Sequence, residues 1–143
     1  MASISPEEYA KAVAGGIVLA RQPTHGGRVM AQVLLSAYNG DSFQLDVAGL
    51  SSLDRGNYEI ALKVIRGRYE VNEEPHYMIA DGSKIFRALW SQWERLEIEE
   101  RAKRLCPDCA GHGKLYLDDY DDTMSKPCSR CSGTGKICWC ESK

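Results

Sequence analysis

The residues with the clearest chemistry are cysteines set in a repeat. Cys106-Pro-Asp-Cys109-Ala-Gly111-His-Gly113-Lys114 returns 22 residues later as Cys128-Ser-Arg-Cys131-Ser-Gly133-Thr-Gly135-Lys136. The two cysteines, the two glycines and the lysine are the identical positions. Two Cys-x2-Cys pairs with 18 residues between them have the ligand count and spacing of a tetrahedral Zn(Cys)4 site. Four thiolates close the coordination shell and leave no position for water, so one structural Zn2+ held by Cys106, Cys109, Cys128 and Cys131 is predicted. The glycines fit this reading, because a chain wrapped tightly around a metal needs residues that tolerate positive φ. Disulfides are the alternative, but they require neither the two-residue spacing nor the paired Gly-x-Gly. Cys138 and Cys140 lie beyond a complete ligand set and read as free thiols.

The Cys-x2-Cys-x-Gly-x-Gly repeat resembles the cysteine-rich centre of DnaJ-type co-chaperones, which carry four copies and bind two zincs. Two copies around one zinc look more like the zinc-binding segment of the lambdoid phage Q antitermination proteins. This resemblance covers residues 102–137. The segment from Leu34 to Leu53, centred on Tyr38-Asn39-Gly40-Asp41, and more broadly residues 30–100, are similar to an uncharacterised family of phage- and plasmid-borne proteins. That second resemblance implies a mobile-element origin and no chemistry.

The chain has 143 residues, 43% hydrophobic and 27% charged, which are ordinary globular values. That length supports one core and a small satellite domain. A net charge of −2 argues against a strongly electrostatic hold on nucleic acid, though it allows a local basic face. Residues 1–22 carry Glu7 and Glu8 and lack a basic start followed by an apolar run, so no signal peptide is expected. No apolar stretch has the length to span a bilayer. All six cysteines lie beyond residue 105. Thiols kept for metal fit a reducing cytoplasm, that of the host cell if the protein is phage-encoded.

The elements that must position the cysteines read as mainly α: a small helical N-terminal domain (1–104) ending in a long helix, and a C-terminal zinc-bound β-hairpin module (105–143). Ser5-Pro6-Glu7-Glu8 is a helix start, with serine as cap and proline at the first helical position. This helix is predicted to reach Arg21, with Tyr9, Val13, Ile17 and Ala20 on its apolar face. Gly15-Gly16 marks a weak spot, a kink or a close helix contact. A second helix is predicted over 28–39, buried through Val29, Val33, Leu34 and Ala37. Phe43 to Val47 alternates as a short extended segment or strand. Asp54 caps a third helix over 55–67, with Ile60, Leu62, Val64 and Ile65 on its apolar side and Gly67 as its stop. Residues 68–80 read as loop or a short strand.

The longest helix is predicted over 84–105, with Phe86, Leu89, Trp90, Trp93 and Leu96 as one stripe. Trp90 and Trp93 at that spacing are core residues rather than a binding surface. The charged run after Leu96 makes the second half of this helix a semi-rigid arm carrying the zinc module. Inside the module, Leu115 to Leu117 is an outgoing strand, Asp118-Asp119-Tyr-Asp121-Asp122 an acidic turn, and Met124 to Lys126 the return. A pseudo-twofold pair of hairpins is expected.

The acidic turn lacks the twelve-residue loop and terminal bidentate Glu of a calcium site, and reads as a hairpin tip or a negative patch. His112 sits inside the first knuckle with a surface role; His25 and His76 are scattered. No Ser/His/Asp set, carboxylate pair in an apolar context or phosphate-cradling loop is visible, so a binding protein rather than an enzyme is expected. The phage Q resemblance implies a regulator acting on host RNA polymerase, in the manner of transcription antitermination. A phage inhibitor that occludes a host enzyme or defence complex is the alternative, and a co-chaperone-like module holding unfolded chains is a third. A protein partner is expected at Asp118, Asp119, Asp121, Asp122, Lys114, Arg130 and Lys136. Because these charges mix in sign, nucleic acid binding by the protein alone is expected to be weak.

Overall fold

The computed structural model describes residues 2–116 and 125–138, without the side chains of Arg104 and Cys138. It is mainly α and divides into two compact units, Met1–Ile98 and Glu99–Lys143. The helices of the first unit are α1 (Pro6–Ala20), α2 (His25–Tyr38), α3 (Arg55–Glu70) and α4 (Gly82–Gln92); the short α5 (Ile98–Arg101) follows at the division. Among the described residues there are also three short 3-10 turns, Ala48–Ser52, Pro75–Met78 and Glu94–Leu96.

α1 begins as the sequence requires. The Ser5 hydroxyl accepts from the Glu8 amide at 3.1 Å, and the Glu8 carboxylate accepts from the Ser5 amide at 3.0 Å. This reciprocal capping box satisfies two otherwise orphaned donors. The Ser5 amide holds the Glu8 carboxyl below its ordinary pKa. Tyr9, Val13, Ile17 and Ala20 are all buried, as their spacing predicts. α1 runs unbroken through Gly15-Gly16. The reason is close helix packing: a Cβ at Gly16 would stand 3.3 Å from Met30 Sδ and 3.4 Å from Leu34 Cδ1 of α2.

α2 starts three residues before its predicted position. The Thr24 hydroxyl caps it by accepting from the Gly27 amide at 3.0 Å, so both glycines fall inside the first turn. The predicted extended segment at Phe43 to Val47 forms no strand; Phe43 anchors it in the core, 1% exposed, and the chain passes into a 3-10 turn. Asp54 caps α3 as predicted, accepting from the Asn57 amide at 3.0 Å. Gly67 does not end that helix, which continues to Glu70.

The predicted helix over 84–105 is a correction. α4 ends at Gln92, and Trp93 leaves the helical region at φ −114°, ψ 24°. No glycine or proline forces this. The residues at the break serve another helix: Gln92 Nε2–H donates to Arg21 O at 2.9 Å, and Trp93 Nε1–H donates to Ala20 O at 2.7 Å. They satisfy carbonyls that α1 leaves unpaired at its C-terminus. Trp93 is 1% exposed and Leu96 6%, so the chain folds onto the core instead of projecting as an arm. The Ile98 amide closes the segment on Ser42 O at 2.9 Å. Trp90 is half-buried, packs edge-on against Phe43, and donates its indole N–H to Glu97.

Candidate metal centre

Among the described residues, the second unit has four short strands, β1 (Lys103–Leu105), β2 (Lys114–Tyr116), β3 (Ser125–Pro127) and β4 (Lys136–Cys138). β1 pairs antiparallel with β4, and β2 with β3. In the register, Leu105 opposes Lys136 and Pro127 opposes Lys114. Exchanging the two copies of the repeat, by adding 22 to Leu105 and subtracting 22 from Lys136, turns the first pairing into Pro127 with Lys114, which is the second, so the unit has the pseudo-twofold arrangement the sequence suggests. β1 is the part the sequence reading places in a helix. Its only signal is the symmetry itself: if β3 precedes the second knuckle, an equivalent strand should precede the first.

Hydrogen bonds repeat the symmetry. The Cys106 amide donates to Gly135 O at 2.9 Å, and the Cys128 amide donates to Gly113 O at 2.9 Å. Within each knuckle an amide returns to the first cysteine carbonyl, Gly111 to Cys106 at 3.2 Å and Gly133 to Cys128 at 3.1 Å. Ala110 and Ser132 occupy the left-handed region at φ 52° and 53°, followed by Gly111 and Gly133 at 87° and 82°. The second glycines meet a steric limit as well. A Cβ on Gly113 would lie 2.4 Å from Gly133 O, and one on Gly135 would lie 2.4 Å from Gly111 O. Gly-x-Gly is therefore required both for backbone conformation and for the approach of one knuckle to the other.

All four cysteines are buried, and their Sγ atoms lie within 4.8 Å of one another. Cys106 Sγ is 3.8 Å from Cys128 Sγ, and Cys109 Sγ is 3.7 Å from Cys131 Sγ. Tetrahedral coordination with metal–sulfur bonds of ~2.3 Å gives sulfur–sulfur edges of about 3.8 Å. The donor set and its spacing therefore fit a metal ion. Gly113 N–H donates to Cys109 Sγ and Gly135 N–H to Cys131 Sγ, each at 3.2 Å. Such bonds orient thiolates and spread their charge. Burial pushes the Cys131 thiol up, but the Gly135 amide and the Cys109 thiol pull it down, to about 7 from an ordinary 9.0. Ile137 and Leu115 supply the apolar packing around the sulfurs.

The other predicted site residues are distributed differently. Lys114 and Lys136 are exposed at the strand starts. Arg130 is engaged within the unit, donating to Asp108 Oδ1 at 3.1 Å. His112 is exposed, with its ring 6.4 Å from that of Tyr116. Asp118, Asp119, Asp121, Asp122 and Cys140, and the side chain of Cys138, lie outside the described residues.

The fold and the site thus define a mainly α protein with a four-cysteine unit suited to a metal ion. A family of unknown function (DUF7673) matches residues 10–94, more than half of the chain, and the protein belongs to it. The matched segment lies in the helical unit and stops short of the cysteines. No curated protein and no solved structure matches the chain. Among the described residues no helix is long and apolar enough to cross a membrane.

Proposed function

We propose that the protein is a non-enzymatic regulator, of phage or mobile-element origin, whose four-cysteine unit is folded by one structural Zn2+ and presents a rigid surface to a macromolecular partner. The observation that carries the zinc reading is the buried set of four Sγ atoms at tetrahedral spacing. Zinc bound by Cys106, Cys109, Cys128 and Cys131 would supply cross-linking and charge compensation, and no chemistry on a substrate. The described apolar cluster of this unit consists of the cysteines, Ile137 and Leu115, which is small for an independent core. Metal binding worth about 10–16 kcal/mol offsets such a deficit in small zinc units.

Host RNA polymerase is the partner we propose, on the resemblance of the knuckles to the phage Q segment. Metal analysis of purified protein should give one zinc per chain. Two zincs, iron in place of zinc, or retention of metal by a Cys109→Ser/Cys131→Ser variant would refute the centre. Zinc-loaded protein should co-elute with purified bacterial RNA polymerase, and a Cys106→Ser variant should not. Identical elution of both would remove the polymerase from the proposal.

A further inference from the structure

Between α3 and the 3-10 turn Ala48–Ser52 of the helical unit lies a cleft of about 690 Å³. α3 contributes Arg55, Tyr58, Glu59 and Leu62, whose i, i+3, i+4, i+7 spacing puts them on one face of the helix. Leu50 and Leu53, both half-buried, line the side of the turn. Val47 and Tyr58 stand at its edge, 68% and 40% exposed. The turn is held in place by its own contacts: the Gly49 amide donates to Asp46 Oδ1 at 2.9 Å, and Arg28 donates to Asp46 Oδ2 at 3.3 Å. Exposed apolar side chains around a preformed apolar cleft mark an interaction surface.

The charges of this cleft point to its occupant. Arg55 and Glu59 are its charged lining residues, one of each sign, four positions apart on the same helix face. Their contact within the chain is a 3.5 Å pair with side chains 91% and 59% exposed, which contributes little and is easily exchanged. A two-fold interface uses the same patch on both copies, so the patch must complement itself. This one does so when two α3 helices run antiparallel: Arg55 of each copy then meets Glu59 of the other, and two intermolecular ion pairs form. The same register brings Leu62 level with the N-terminal end of the second copy's helix, where Leu50 and Leu53 line the cleft. Charged and apolar matching thus agree on one register. A partner with a face of single sign would be repelled by one of the two charges.

We propose that the chain forms a two-fold dimer through this cleft, α3 packing antiparallel against α3 of a second copy, with Tyr58 and Leu62 as apolar anchors and Arg55–Glu59 pairs fixing the register. The zinc reading is not involved, because every residue named belongs to the unit that ends at Ile98. One helix and one turn make a small patch, at the low end of specific interfaces, so the dimer is expected to dissociate on dilution.

Sedimentation equilibrium of the full chain tests this. The mass should rise from one chain toward two between about 1 and about 500 µM protein. Arg55→Glu and Glu59→Arg each place two like-charged pairs in the interface, and each should weaken association roughly 10-fold or more. Arg55 is the first residue of α3, where a glutamate suits the helix dipole, so that variant should keep its fold, as circular dichroism will read. Tyr58→Ser should weaken association by about 10-fold as well, through loss of an anchor. The chain carrying both charge substitutions restores opposite signs across the interface and should dimerise again. An equimolar mixture of the two single variants should also dimerise, because one chain then presents two acids and the other two bases. A mass that stays at one chain throughout overturns the proposal in favour of a different protein as occupant. A dimer that none of these substitutions weakens overturns it too, since association then uses another face. Failure of both the double variant and the mixture to dimerise, with folds intact, overturns the antiparallel pairing and with it the proposal.

Discussion

The ring of Tyr9 occupies the space that a side chain at residue 67 would need: a Cβ on Gly67 would fall 2.1 Å from Tyr9 Cδ2 and 2.3 Å from Cγ. α1 and α3 approach each other through this contact, and Tyr9 reaches past it to donate its hydroxyl to Glu73 O at 3.0 Å. The glycine inside α3 is thus a packing residue.

Gly67→Ala should therefore destabilise the helical unit, although alanine is the better helix former. Tyr9 is fully buried and its neighbours leave little room to move, so overpacking of about 1–3 kcal/mol outweighs the propensity gain. Thermal unfolding followed by circular dichroism reads the difference. A rise in melting temperature would mean that the ring shifts freely and the contact is not tight.

The same tyrosine makes stability depend on alkaline pH. Burial pushes its phenol up from 10.0 to about 12. Between these values the unfolded chain releases the proton and the folded chain keeps it, so stability is fully present below pH 10 and falls as pH rises toward 12. Denaturant titrations across this window should show a steeper loss for the natural protein than for Tyr9→Phe, which has no phenol to ionise. Parallel slopes would show that Tyr9 titrates normally in the folded state.

Trp93→Phe tests why α4 stops. The substitution keeps most of the buried ring but removes the donor to Ala20 O. A buried carbonyl left without its partner costs about 1–3 kcal/mol. Urea unfolding midpoints should drop accordingly; an unchanged midpoint would indicate that water or another donor replaces the indole.

The helical unit should survive loss of metal. Its apolar cluster runs from Ile4 to Leu96, separate from the cluster of cysteines and Ile137. A chelator should abolish the fold of residues 103–138 and leave most of the far-ultraviolet helix signal intact. Collapse of that signal together with zinc release would show that the two units fold as one.

Gly113→Ala and Gly135→Ala should each weaken zinc binding strongly, since both glycines combine φ values of 76° and 78° with an approach of 2.4 Å to a carbonyl of the other knuckle. Gly133→Ala faces the left-handed conformation but no contact shorter than 3.9 Å, so its loss should be smaller. Competition with a chromophoric chelator ranks the three. Equal losses would assign the whole effect to backbone conformation.

The sequence by itself determined the parts governed by local rules. Ser5 and Asp54 announce helix starts because a side-chain oxygen satisfies an amide three residues on, and Tyr9, Val13, Ile17 and Ala20 reveal a buried face by spacing alone. The clustering of the four cysteines was legible for the same reason: Cys-x2-Cys with Gly-x-Gly encodes a local turn, and two copies bring together four sulfurs that could hold a metal ion. Tertiary structure decided what depends on residues far apart in the chain. Gly67 reads as a helix stop until Tyr9 is seen against it, 58 positions away. Residues 93–105 read as helix because nothing in them breaks one; the end of α1 and the pairing of β1 with β4 supply the competing hydrogen bonds.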